Sequence, residues 1–398
     1  MSFANHWQLS PDVDFLNHGS FGAAPTVVLE AQRRLQDALE RDPIRFLAPE
    51  RELEPKLDHV RKVLSELVGA PAIDLAFVRN ATEGVNAVLR SISLREGDEI
   101  VFTNHGYNAC NNAAQFAADR SGAKIRVAKI PFPLADADQV VRAIEAELND
   151  RTRLLLVDHV SSPSGLIFPV ERIIALAHAS GIRVLVDGAH APGMVPLDLQ
   201  ELDADYYTAN HHKWLCGPKA SGFLYVRREL QDEVRPTVIS HAANRPRPDR
   251  SRFIAEFDWY GTFDPTPLLS VPSAIEFLGS LFPGGINELM ATNRRLALDA
   301  RKVLCEALQI KAPSPAEMIG CLVALPLPPT QEEPRGELDP LQGSLYDQHR
   351  FELPIFPFPD RGKRVLRISL QAYNHIGQIE RLAEVLRREL NVRPTNSS

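Results

Sequence analysis

The chain has 398 residues, 44% hydrophobic and 24% charged, enough apolar material for one large core and a smaller second one, so two domains are expected. A formal net charge of -7 gives no electrostatic reason to expect nucleic acid or an anionic membrane as a partner. The opening MSFANHWQLS lacks the cationic start and apolar core of a signal peptide, no apolar run reaches bilayer length, and the four cysteines (110, 216, 305, 321) have no metal-ligand spacing, so reduced thiols, no metal and a cytoplasmic location are expected.

The first predicted element is a helix from near Pro25, after the small-residue stretch Gly19-Ser20-Phe21-Gly22. Between about residues 50 and 230, helical patterns alternate with short β-rich runs, the signature of βα units on a mostly parallel sheet. The strands are LAFVRN at 75–80, EIVFTN at 99–104, KIRVAKI at 124–130, RLLLVDH at 153–159, RVLVDGAH at 183–190, ADYYTAN at 204–210 and SGFLYVR at 221–227. Helical periodicity fills 82–92, 109–120, 137–148 and 170–179. The basic run RPRPDRSR at 245–252 has no apolar periodicity and reads as a mobile polar loop rather than a nucleic-acid patch.

The final third changes character. Helices over 272–282 and 285–308 precede strands at 321–327 and 364–370, which flank the Pro/Glu-rich PPTQEEPRGELDP, and an amphipathic helix over 375–390 follows. The expected class is α/β, with a large domain over 15–265, a hinge near 265–275, and a smaller α+β domain over 266–398 with 1–14 packed near it.

Ligands of open α/β sheets bind beyond the carboxyl ends of the strands, so the residues there are read one by one. Ala81-Thr82-Glu83-Gly84 opens a helix, either as a phosphate cradle or as a plain cap. Tyr107 stands at a loop-to-helix junction, where it stacks on a flat ring or simply packs. Asp187 ends a buried strand and needs a cation, in a cofactor site or a structural ion pair. Lys213, beside Trp214, is a desolvated amine with nucleophilic character or a solvated loop lysine. Together, a phosphate cradle, an aromatic, an aspartate for a protonated ring nitrogen and an imine-forming lysine describe a pyridoxal phosphate site.

At these residues the chain resembles the fold type I pyridoxal-phosphate enzymes, in the class V aminotransferase family and its isopenicillin N epimerase-like branch. The resemblance rests on FLNHGSFGAAP, NATEGVN, DHVSSPSG, LVDGAHAPG, NHHKWLCGPKASGFLYV, WYGTFDPTP and RISLQAYN, in the family's order over most of the chain. It implies a mostly parallel seven-stranded sheet between helices, with Lys213 as Schiff-base lysine and acid/base, and Asp187 on the pyridinium nitrogen. It places His190 and Ser162 near the ring or its phenolic oxygen and Tyr107 as the stacking aromatic. Asn210, His212, Ala81 and Thr82 would hold the phosphate, joined by Thr262 of a partner subunit, so a homodimer is implied. Arg367 would bind the substrate carboxylate, with Gly19, Ser20 and Gly22 on a loop against the substrate.

One departure is visible. Cysteine desulfurases of this family carry a catalytic cysteine shortly before the carboxylate arginine, and GSLYDQHRFELPIFPFPDRGK contains none. Cys216 sits on a short turn and reads as packing, and His211 and Lys219 as structural. The resemblance implies chemistry at the α-carbon of an amino acid, with epimerisation leading and a carbon–sulfur β-lyase or an aminotransferase as alternatives. Epimerisation calls for a second base, for which His18, Tyr107 and His241 are candidates. A non-catalytic scaffold would be expected to lack Lys213, Asp187 or Arg367, and all are present.

Overall fold

A computed structural model describes residues 3–329, 338–360 and 362–392. Its strands are β1 (Asp14–Phe15), β2 (Leu75–Val78), β3 (Glu99–Thr103), β4 (Lys124–Ala128), β5 (Thr152–Asp158), β6 (Arg183–Asp187), β7 (Tyr206–Asn210), β8 (Gly222–Val226), β9 (Leu322–Leu327), β10 (Phe351–Glu352), β11 (Ile355–Pro357) and β12 (Arg364–Ser369). Seven of them form one sheet in the order β2-β8-β7-β6-β5-β3-β4. Only β8 runs antiparallel to its neighbours, so the sheet is mostly parallel, as expected.

The strand residues divide by alternation. Phe77, Val101, Leu155, Val157, Val184, Val186 and Phe223 face one layer, where the helices Glu54–Val68, Asp138–Glu145 and Val170–Ala179 contribute Leu57, Ile144 and Ile173. Ala76, Val78, Ile100, Leu154, Leu156, Leu185 and Leu224 face the other, against the helices Ala81–Ser91, Asn108–Ser121 and Arg252–Asp258. Burial on both faces is why these strands read as unbroken apolar runs. β2 ends at Val78, short of the expected Asn80, because Asn80 caps the next helix and its Oδ1 accepts from the Glu83 N–H at 2.9 Å.

Toward the C-terminus, β11-β12-β9 form an antiparallel sheet packed with the helices Gly285–Leu308 and Ile376–Glu389. Leu322, Val323 and Leu325 of β9 share a continuous core with the large sheet. The N-terminal segment joins this region, with Trp7 packing on Phe277 and Tyr373 and β1 pairing with β10. Part of the Pro/Glu-rich loop, 330–337, lies outside the described residues. Among the described residues, no single helix is long and apolar enough to cross a membrane.

The basic run at 245–252 corrects its sequence reading. It is pinned by ion pairs rather than free in solvent: Arg247 meets Glu54 at 2.5 Å, and Arg250 meets Asp58 at 2.6 Å and Asp258 at 3.0 Å. Arg61 closes the cluster onto Asp258 at 2.5 Å. Its cationic density compensates carboxylates on a helix nearly two hundred residues earlier.

Candidate active site

The ends of β5, β6 and β7 meet at one place. Asp187 closes β6, with Oδ1 accepting from the Ala189 N–H at 3.0 Å and Oδ2 from the Cys110 thiol at 3.1 Å. Three residues beyond β7, the buried Lys213 places Nζ 2.9 Å from His190 Nε2. Burial lowers the Lys213 pKa to about 8, against the opposing charge of Asp187 and assisted by Arg367. Burial, then the charge of Lys213, pushes His190 well below its ordinary value. Trp214 Nε1–H donates to His190 Nδ1 at 3.3 Å.

The turn carrying Lys213 is held by its own backbone. Gly217 N–H donates to His211 O and Cys216 N–H to Lys213 O, both at 2.9 Å. Gly22 is pressed against it from the N-terminal loop, at a φ of +68 with no room for a Cβ, which would lie 1.8 Å from His212 O. The loop expected to lie against the substrate thus packs, at Gly22, on the lysine turn.

Two of the expected phosphate residues meet. Asn210 Oδ1 accepts from the Ala81 N–H at 2.9 Å and joins the end of β7 to the helix start. That helix sits close: a Cβ on Gly84 would lie 2.1 Å from Thr208 Oγ1. Thr82 is in its first turn, half-buried, and His212 Nδ1 is buried without a partner. Thr262 is exposed in the loop before the helix Thr266–Leu269, and among the described residues it makes no hydrogen bond to this site.

Arg367, on β12, is buried and meets no carboxylate among the described residues. Its Nη1 donates to Ser162 O at 2.6 Å and Ser162 Oγ at 3.2 Å, its Nη2 to Ser20 Oγ at 3.0 Å, and its Nε has no partner. Burial lowers its pKa to about 10. Ser162, expected beside the ring, is thus placed on the guanidinium. Tyr107, half-exposed at the start of the helix Asn108–Ser121, lies near enough for its phenol to act on the same arginine.

The candidate second bases separate. His18 is fully buried, with Nδ1 2.8 Å from Tyr373 Oη and Nε2 2.9 Å from Lys213 O, so both ring nitrogens are occupied. Its expected availability as a base is corrected accordingly. His241 is exposed in the short turn His241–Asn244 and makes no contact with the Lys213 cluster among the described residues. Of the three, Tyr107 stands near Arg367 with no hydrogen bond from its phenol among the described residues. All four cysteines are buried, Cys216 against Gln371 and His18, and Lys219 bonds Gly22 O, which suits the structural reading of both.

Two groups escaped the sequence reading. Asp158 ends β5 directly beside Asp187 in the parallel ladder, and burial, then Asp187, raises its pKa well above the ordinary carboxylate range. Its signal was the one that marked Asp187, an aspartate closing an apolar run, in RLLLVDH. Cys110 had no such signal, because its role depends on a partner 77 residues away.

Residues 24–328 match the sequence model of the aminotransferase class-V family. The chain belongs to that family. It is 34% identical to isopenicillin N epimerase of Amycolatopsis lactamdurans over 393 residues, 95% of this chain and 96% of the relative. It is 30% identical to a probable chloroplastic L-cysteine desulfhydrase of Arabidopsis thaliana over 410 residues, 96% of this chain and 84% of the relative. Its fold matches a C-DES variant with glycine covalently linked to the PLP cofactor, at a TM-score of 0.82 and 20% identity over 97% of this chain and 99% of that one. The complex of the cystine C-S lyase C-DES with its product cysteine persulfide matches at a TM-score of 0.77 and 21% identity, over 94% and 97%.

Pyridoxal phosphate is the family's cofactor, and the donor set fits it. The buried, unpartnered His212 Nδ1 and the helix start joined to Asn210 suit a phosphate, and a carboxylate with two donors suits a cationic ring nitrogen.

Proposed function

We propose that this class V enzyme is a lyase that removes a sulfur substituent from the β-carbon of a cysteine-type amino acid. The observation that carries the choice is the single buried base. Lys213 is desolvated with its amine turned to the site, whereas both nitrogens of His18 are occupied. Elimination needs one base at the α-carbon, and epimerisation needs a proton donor on the other face as well.

Held by Asp187 at its ring nitrogen and by Ala81, Thr82, Asn210 and His212 at its phosphate, pyridoxal phosphate supplies a sink for the electron pair left by the α-proton. Arg367, with Ser20 and Ser162, receives the α-carboxylate and orients the α-carbon. Lys213 Nζ takes the α-proton and gives it to the sulfur as the bond between sulfur and the β-carbon breaks. Thr262 of a partner subunit completes the phosphate site in a homodimer. Sulfur as the leaving atom is supported by the desulfhydrase relative and by the fold shared with a cystine lyase. The one cysteine bonded to the site, Cys110, donates its thiol to Asp187, and burial pushes that thiol up, away from the thiolate that a sulfur relay needs.

Epimerisation is the second reading, favoured by the epimerase relative and requiring Tyr107 as the second acid. Holoenzyme incubated in heavy water with L-cysteine, L-cystine, cysteine conjugates and other L-amino acids separates the branches. The lyase reading expects pyruvate and a sulfur product in equal amounts. An α-deuterated D-isomer without pyruvate would establish epimerisation, and a keto acid retaining the substrate's side chain would establish transamination; either overturns the lyase.

A further inference from the structure

The side chains around the Lys213 amine constrain one another's protons. His190 Nδ1 lies 3.3 Å from Trp214 Nε1, and an indole nitrogen only donates, so Nδ1 presents its lone pair. A neutral imidazole whose Nδ1 accepts carries its hydrogen on Nε2. His190 is fully enclosed, and its neighbours Lys213, Arg367, His212 and His18 all disfavour a charged ring. Nε2 lies 2.9 Å from Lys213 Nζ, so the Nε2–H donates and the lysine accepts. An ammonium group has three donors and no lone pair, and only the free amine can accept.

We propose that Trp214 is a positioning residue which, acting through the His190 ring, favours the free-base form of the Lys213 amine. The opposite arrangement has the ammonium donating to Nε2, which moves the ring hydrogen to Nδ1 and turns it against the indole N–H. Two buried donors would then face each other without an acceptor, a loss comparable to an unmade hydrogen bond. Asp187 and Asp158 at the ends of β6 and β5, and Cys110 on the helix Asn108–Ser121, favour the ammonium, while Arg367 on β12 opposes it. The relay adds to burial on the side of the amine, the form that attacks a carbonyl carbon. Trp214 is wholly buried, so the indole has no solvent-facing alternative for its N–H.

The inference rests on the reading of Lys213 as the lysine that attaches the cofactor, and its test separates the two. Apoprotein carrying 15N-histidine, with the His190 signals assigned through His190→Asn, is expected to show the neutral Nε2–H tautomer at pH 9, where the Lys213 amine is free. In Trp214→Phe the ring shifts toward Nδ1–H. The pH midpoint for attachment of added pyridoxal 5'-phosphate then rises by about 0.5 to 1 unit, roughly a three- to tenfold slower attachment at pH 7. A folded Trp214→Phe protein with an unchanged midpoint overturns the relay. So does a wild-type ring that is Nδ1–H or doubly protonated at pH 9, a result that needs no folded variant. Borohydride reduction and peptide mapping report on the other reading: an adduct on another lysine overturns the priming role together with the lysine assignment, whereas a wrong tautomer overturns the relay alone.

Discussion

Replacing Arg367 with leucine removes a buried guanidinium that meets no carboxylate among the described residues. The guanidinium is 4% exposed, donates only to Ser162 and Ser20, and leaves Nε without a partner. A bound α-carboxylate would complete it, and truncating one side of a buried, hydrogen-bonded charge pair costs about 3 to 5 kcal/mol. At about 1.4 kcal/mol per tenfold, kcat/KM for an amino acid should fall by roughly two to four orders of magnitude. Initial rates of pyruvate release from L-cysteine measure the loss, and cysteamine, which lacks the carboxylate, supplies the other side of a double-mutant cycle. Wild type and Arg367→Leu should handle cysteamine alike within a fewfold, so the coupling equals most of the loss on cysteine. A variant that keeps kcat/KM on L-cysteine within about threefold, or loses as much on cysteamine, refutes the carboxylate role.

The remaining predictions concern the lysine, the aspartate and the ion-pair cluster. Lys213 in the apoprotein has its pKa lowered to about 8, below the unfolded value of about 10.4, so burial costs stability in full below pH 8 and the cost fades as pH rises to about 10.4. Lys213→Met should therefore stabilise the apoprotein at pH 7 by about 3 kcal/mol and lose that advantage by about pH 10.5. Equal denaturant midpoints of variant and wild type at pH 7 would show that the amine is not held desolvated. Asp187→Asn should keep the cofactor bound while lowering turnover by about two orders of magnitude or more, because the ring nitrogen loses its anionic partner. Turnover within a fewfold of wild type would exclude Asp187 from that role. Arg250→Ala should destabilise by about 1 to 3 kcal/mol, since it leaves one oxygen of the buried Asp258 without a partner while Arg61 still holds the other. A change in the urea midpoint worth less than about 1 kcal/mol would mean that the cluster is solvated after all.

All seven strands of the large sheet were legible because each is an apolar run bounded by polar or small residues, and a buried parallel strand needs little else. β10 and β11, two and three residues long, carry no period that a sequence can display. The strand-end rule selected Asp187 and Lys213 and passed over Asp158, which closes β5 in the same way. Lack of apolar periodicity at 245–252 was seen correctly, but looseness did not follow from it. Its carboxylate partners Glu54 and Asp58 lie about 190 residues away in the chain, where local charge pattern carries no information.

Chain order and residue type were sufficient to establish the α/β class, the cofactor family and most of the groups at the strand ends, because those depend on local chemistry and on the regular geometry of parallel strands. Folding decided which of those groups remain free to act. His18 sits 195 residues before Lys213 and donates to its backbone, His190 is gripped by an indole 24 residues on, and Ser162 and Ser20 converge on Arg367 from opposite parts of the chain. A histidine with both nitrogens occupied and one with a proton aimed at an amine have the same letter in a sequence. Their partners, not their identity, set where the proton sits.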